Sequence, residues 1–507
     1  MSFIDKIDNY MNRFSRTENG AVAYKSSNKK LTDFNFKISY YRNHENEIID
    51  DFDELFNETE SIETIIRYIF YIGDIREGLG ERKLFRICLR RFLSYIVDNE
   101  KIIDILMSIP EYNRWDSLWK ITYVNSRFDN SRLFDSALII INNQLLFDLN
   151  NEEKNKPVSL LAKWLPSENA SSPETKEMAK MIYKGLHLSS KEYRIVLSTL
   201  RKYLNVTEVF TSSNNWNKID YEAVPSKANL IYSNAFMKHD KERRLEYLDN
   251  LKKGKKKINS SVAYPYEIID KYGHNFYGVQ SKYNETIEQM WKALPKLNIK
   301  NTLVVRDGSG SMESSVANTT CLSVATSLAI YLSENNSKEW KDKFITFSED
   351  PKIINLCNCN SLLEKLNKTY EEDECSNTDI YKTMKLILNT ALANKTKQEE
   401  MPEMILIISD MQFDDKSFNM DGSLFDNIKK EFEDNGYELP KICFWNVDGD
   451  CGNTIPLQEN KYGLILCSGF SINIVSMLLS GKTDPYEVLM DVLYSKRYDA
   501  VGNIFKK

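Results

Sequence analysis

The apolar residues of this chain keep a helical spacing up to about residue 295. They then gather into short continuous runs separated by further helical stretches, so two architectures must share one chain. In the first part, Ile62, Ile65, Ile66, Ile69 and Phe70 form one stripe, and Leu84, Leu89, Cys88, Phe92 and Leu93 the next. Further helices are expected at 101–109, 131–147, 173–186, 190–203, 226–234, 238–251, 264–271 and 279–293. Pro110, Pro157, Pro166, Pro225 and Pro265 are expected at helix boundaries. Many short helices with brief connectors indicate an α-solenoid or irregular helical array, although no fixed repeat period is present.

The second part alternates. Runs at 301–307, 341–348, 351–357, 401–410, 440–446 and 462–467 read as strands. Helices are expected between them at 316–334, 360–368, 379–393, 423–435 and 471–480. That order predicts a mostly parallel sheet covered on both faces. Ligands of such sheets sit at the carboxyl ends of the strands. The linear reading divides the chain into a helical domain at 1–298, an α/β domain at 299–480, and a helix with a mobile tail at 481–507.

With 507 residues the chain exceeds what one hydrophobic core supports. No apolar run is long enough to span a membrane and no secretory leader is legible, so a cytoplasmic location is expected. The eight cysteines are scattered without a CxxC pair, which argues for reduced, mostly buried thiols rather than zinc. Charge is uneven. Residues 151–300 hold 26 Lys and Arg against 17 Asp and Glu, whereas residues 301–507 hold 21 against 32. A basic segment of this kind suits an anionic partner.

Directly after the run at 301–307 comes Asp307-Gly308-Ser309-Gly310-Ser311. It presents a carboxylate and two hydroxyls at alternate positions, with glycines that permit a tight turn. Oxygen-only ligands select a hard cation, Mg²⁺ or Mn²⁺, over zinc. Two other element ends offer more oxygens: Asn377-Thr378-Asp379 opens a helix, and Ser409-Asp410 closes a strand. The set Asp307, Ser309, Ser311, Thr378 and Asp410 resembles the metal-ion-dependent adhesion site of von Willebrand factor A domains. The resemblance implies one ion. Ser309 and Ser311 ligate directly, Thr378 directly or through water, and Asp307 and Asp410 complete the shell. The last position is left to an acidic group from a protein partner. Arg306 departs from the pattern, since an apolar residue is usual there; it either faces solvent or lowers the affinity of the site.

Other stretches carry a second resemblance. They are Gly73-Asp74-Ile75-Arg76-Glu77-Gly78-Leu79-Gly80-Glu81-Arg82, Ile109 to Asp116, Leu161 to Pro166, Trp216 with Val224-Pro225-Ser226, and Tyr264 to Glu267. Together they resemble the domain-of-unknown-function family 2828, which looks like a distant relative of the TROVE-module and Ro ribonucleoproteins. That resemblance implies a multidomain fold: an N-terminal all-α helical-repeat domain, HEAT-like and forming a ring or horseshoe, plus a C-terminal α/β von Willebrand factor A (Rossmann-like) domain. It also implies an RNA-binding scaffold that acts as a monomer.

From the residues alone, Arg82, Arg86 and Arg90 stand at i, i+4 and i+8 with Lys83 beside them, a stripe that suits phosphates or a solvated helix face. Lys252, Lys253, Lys255, Lys256 and Lys257 form a dense run that suits phosphates or a solubilising loop. Tyr112, Trp115 and Trp119 read as core before base-stacking groups. No nucleophile elbow, phosphate loop, zincin helix or His-centred triad is present, so no enzymatic activity is expected. The alternatives are a metal-dependent protein-interaction module without RNA and a metal-dependent phosphodiesterase.

Overall fold

The computed structural model describes residues 3–4, 14–16, 22–58, 61–124, 127–128, 131–275, 278–279, 281–348, 350–372, 379–413, 423–450, 464–478, 482 and 484–506. The chain forms two compact units that do not follow its linear division. One comprises Met1–Thr59, Pro225–Leu230 and Leu251–Val492; the other comprises Glu60–Val224, Ile231–Asn250 and Leu493–Lys507. Periodicity reports what kind of element a segment forms. It does not report which core the element covers.

The α/β unit is built on a six-stranded sheet. Its strands are β1 (Thr302–Asp307), β2 (Lys343–Phe347), β3 (Ile353–Asn355), β4 (Met404–Ser409), β5 (Lys441–Asn446) and β6 (Leu464–Ser468), in the order β3-β2-β1-β4-β5-β6. All neighbours are parallel except β2 and β3, so the segment at 351–357 becomes an antiparallel edge. Continuous apolar runs are what strands buried on both faces require. Leu303, Val305, Ile405, Ile407, Ile442 and Phe444 line one face and pack against Ile380, Met384 and Leu388 of the following helix. Strand order reverses between β1 and β4, which is the switch point of an open α/β sheet.

Segments outside 299–480 complete this unit. Phe36, from the helix Lys30–Phe36, joins the apolar core. Ser39 donates to the Asn446 carbonyl (3.2 Å), and its own N–H donates to Ser468 Oγ (3.2 Å), so this stretch ties the ends of β5 and β6.

The helical unit contains α1 (Ile62–Gly73), α2 (Arg82–Tyr95), α3 (Asn99–Tyr112), α4 (Ser131–Glu153), α5 (Pro173–Gly185) and α6 (Ser190–Tyr203). Pro110 lies inside the last turn of α3 rather than at a boundary. The expected stripes are buried, apart from Ile62. Tyr112 and Trp119 are core, while Trp115 is half-buried.

The motif between α1 and α2 is a return loop that folds onto α1. Leu79 N–H donates to the Tyr71 carbonyl (3.0 Å) and Glu81 N–H to the Ile72 carbonyl (2.8 Å). A Cβ at Gly78 would lie 2.1 Å from the Tyr71 carbonyl oxygen, and Gly80 has φ +69. The glycines therefore serve chain reversal. Gly78→Ala is expected to cost about 1–3 kcal/mol, because backbone has to move. Urea unfolding followed by far-ultraviolet circular dichroism measures it, and a variant as stable as the parent would refute this account of the loop.

The tail expected to be mobile is ordered through residue 506. Tyr498 and Val501 are buried, and the segment from Leu493 belongs to the helical unit. Among the described residues no helix is long and apolar enough to cross a membrane.

Candidate metal centre

Parallel pairing of β1 with β4 places Ile408 beside Arg306, so Asp307 and Ser409 end their strands side by side. Ser409 Oγ donates to Asp307 Oδ2 (2.5 Å), and the Ser309 N–H donates to Asp307 Oδ1 (2.9 Å). The loop then turns through the short helix Gly310–Glu313, anchored by the fully buried Met312. Ser309 Oγ and Ser311 Oγ lie 3.0 Å apart. Asp410 follows β4 and is held the same way, its Oδ1 accepting from the Gln412 N–H (3.0 Å). Between them Met411 takes φ +64, a left-handed conformation that costs a non-glycine residue about 1–3 kcal/mol and is met more often at functional sites.

Asp307 is fully buried and Asp410 nearly so. Burial pushes the Asp307 carboxyl up to about 7, and the charge of Asp410 adds to the rise. Hydrogen bonds from Ser409 and Ser309 oppose it. The groups acting on Asp307 are thus a second carboxylate and neutral donors. Arg306 does not supply the missing charge. Strand alternation turns it to the opposite face, where it is completely buried and its Nε donates to Thr326 Oγ1 (2.9 Å) beneath α7 (Cys321–Glu334). It neither faces solvent nor enters the site.

Four of the five expected ligands therefore stand at two adjoining strand ends. Thr378 lies outside the described residues. Asp379 caps the helix α8 (Ile380–Asn394) through the Lys382 N–H (3.0 Å). Among the described residues no three His, Cys, Asp or Glu side chains gather to hold a metal, so a cation here has to use hydroxyls alongside the two carboxylates. Buried hydroxyl and carboxylate oxygens of this kind fit a hard ion and not a soft one.

Two further residues belong to this neighbourhood. Ser409 fixes Asp307, and its place beside Asp410 at a parallel strand end was its only signal. Asp448 is buried just past β5, with Oδ1 accepting from the Asp450 N–H (2.7 Å). The Cys321 thiol donates to the Val447 carbonyl (3.2 Å). Burial pushes it up to about 12, and Asp448 and Asp410 push in the same direction, so it is no nucleophile. The other described cysteines are also free: Cys88, Cys443 and Cys467 are buried, Cys359 is half-buried and Cys357 is exposed.

The basic candidates fall in different units. Arg82, Arg86 and Arg90 are half-buried along α2, with Lys83 exposed. Lys252, Lys253, Lys255, Lys256 and Lys257 are exposed at the end of the helix Lys241–Lys252 and in the turn that follows. Lys252 is already engaged by Glu285 (2.6 Å).

A protein of Acanthamoeba polyphaga mimivirus, "Uncharacterized protein L728", is 28% identical over 516 residues, covering 95% of this chain and 88% of that protein. The crystal structure of the Deinococcus radiodurans RO (RSR) protein aligns with 85% of this chain and 90% of its own, at 12% identity and a TM-score of 0.43. Residues 301–498 match the model of the Domain of unknown function (DUF7788). Residues 131–298 match the model of the Domain of unknown function (DUF2828), and that span contains the motifs at Leu161–Pro166, Trp216, Val224–Ser226 and Tyr264–Glu267. The chain is therefore similar to the DUF2828 family through residues 131–298, as those motifs indicated, and to DUF7788 through residues 301–498.

Proposed function

We propose that this protein is a scaffold that binds RNA through its helical unit and holds one divalent cation, Mg²⁺ or Mn²⁺, in a von Willebrand factor A-type α/β domain. The observation that carries the reading is the pair of buried carboxylates, Asp307 and Asp410, on either side of the sheet's switch point, with the Ser309 and Ser311 hydroxyls on the loop between. Asp307, Ser309, Ser311 and Asp410 would hold the ion, with Thr378 as the remaining ligand. Bound there, the cation supplies a Lewis-acidic point for an acidic group of a partner. The chain's own residues orient it: Ser409 fixes one Asp307 oxygen, and the two Asx-type turns keep both carboxylates from swinging away. The RNA half is supported by the motif resemblance to the TROVE and Ro group.

Calorimetric titration with Mn²⁺ tests the metal reading, with one ion bound per chain and none by Asp307→Ala. Binding that persists unchanged in that variant defeats it. Extraction of nucleic acid from protein purified at low salt tests the RNA half. Metal binding without any RNA would leave a metal-dependent protein-interaction module, the reading that the carboxylate pair supports by itself.

A further inference from the structure

Within the helical unit, two cations grip one buried carboxylate. Arg114 Nε and Nη2 donate to the two oxygens of Asp116 (3.1 and 2.9 Å), and Lys120 Nζ donates to the same carboxylate (2.8 Å). Asp116 is buried, so both cations are held close to the protein body. The Arg114 guanidinium lies 4.3 Å from the ring centre of Trp164, and the Lys163 ammonium 5.6 Å from it. Arg82 and Arg86, from the first two turns of α2, act on this group as well. After burial, the charge of Arg82 does most to hold the Arg114 guanidinium below its ordinary range, and Arg86 adds to it, while Asp116 opposes. Asp116 itself is held low by Arg114, Lys120 and Arg86, against the effect of burial.

A solvated helix face spreads its charges apart. Here the helix that carries Arg82 and Arg86 packs against the short helix Ser117–Lys120, next to a third arginine that is pinned by a bidentate carboxylate and an indole, and like charges repel. Folding keeps that repulsion, and an incoming anion relieves it. Guanidiniums fixed in one orientation suit the forked oxygens of a phosphate. The half-buried Trp164 adds an aromatic platform of the kind that accompanies phosphate contacts in single-strand binding.

We propose that Arg82, Arg86, Arg114 and Lys120 around Trp164 form a binding site for the phosphates of single-stranded RNA. This rests on the RNA reading above and gives it a place. It adds Arg114, Lys120 and Trp164 to the stripe of α2, and it leaves the lysine run of the other unit outside the site.

The test uses the full chain and a fluorescein-labelled oligouridine, with anisotropy read over a range of salt. The double variant Arg82→Gln/Arg86→Gln leaves Asp116 and its two cations in place, and circular dichroism checks that it folds. Its affinity at low salt is expected to fall about tenfold, and the slope of log K against log salt to flatten by roughly 1.4, the value for two lost single-strand phosphate contacts. A matched double variant, Lys255→Gln/Lys257→Gln, is expected to leave the slope within error. RNA binding by the parent with no change of affinity or slope in Arg82→Gln/Arg86→Gln overturns this site and leaves the RNA reading standing. No RNA binding by the parent overturns both. Binding of a phosphopeptide in place of RNA, lost in the same variant, overturns the assignment to nucleic acid.

Discussion

Replacing Arg497 by Met is expected to destabilise the helical unit by about 3–5 kcal/mol, the usual loss when one member of a buried ion pair is removed. Arg497 Nε and Nη2 donate to the two oxygens of Asp74 (2.8 and 3.1 Å), and Nη1 donates to Glu111 Oε1 (2.8 Å). Asp74 is completely buried at the C-cap of α1. Its remaining partners, the Arg76 N–H (3.0 Å) and the Tyr498 hydroxyl (3.2 Å), carry no full charge. Tyr112 donates to the Arg497 carbonyl (2.7 Å), and its ring stacks on Tyr498 at 5.7 Å, so the whole segment is clasped. Arg67 adds bonds to the Leu493 carbonyl (3.0 Å) and Asp499 (3.1 Å). The double variant Asp74→Asn/Arg497→Met is expected to recover part of the loss, because no buried charge is then left without its counterion. Denaturant unfolding of the single and double variants measures both. A loss below about 1 kcal/mol, the worth of an exposed pair, would show that the tail is not held as described.

This clasp also shows where sequence reading fails. Residues 496–506 are too few to show a long period, so they read as a tail. What orders them is a set of partners far away in the chain, and Gly502, where a Cβ would lie 2.2 Å from Arg67 Nε. The helix Ser226–His239 was expected at 226–234, whereas Lys30–Phe36 was passed over; in neither case does local pattern encode which core the element joins. By contrast, the six strands of the sheet were legible to within a few residues, because apolar runs such as Met404–Ser409 have no other stable place than a doubly covered sheet. The helix expected from 316 starts at Cys321, since 315–320 forms a small hairpin with Ala317 at φ +54. Asp307 and Asp410 were legible because each stands at a strand end, and Ser309 and Ser311 because they take alternate positions of the loop that follows β1. Ser409 was not, because its role depends on the register of β1 against β4 and not on any spacing within one segment.

That register makes a second large effect measurable, with a sign that changes. Asp410→Asn keeps the volume of the side chain and an oxygen to accept from the Gln412 N–H. In chelator, the substitution removes one of two buried like charges, so the variant is expected to be more stable than the parent at neutral pH. With Mn²⁺ present the order reverses. An ion at about a hundred times its dissociation constant stabilises the parent by about 2.7 kcal/mol. For a unit of this size that corresponds to a rise in melting temperature of roughly 4 °C. The variant, lacking one carboxylate of the site, is expected to show none of that rise. Ser361→Ala serves as the control. It removes a helix cap remote in sequence from the site (Glu364 N–H to Ser361 Oγ, 3.2 Å), so it should lower both curves by about 1 kcal/mol without changing the response to the ion. Thermal scans of the three proteins, with chelator and with Mn²⁺, therefore separate a cation site from ordinary packing. If the parent gains nothing from the ion, and the variant is no more stable than the parent in chelator, then Asp307 and Asp410 are not the adjoining like charges that the metal reading requires.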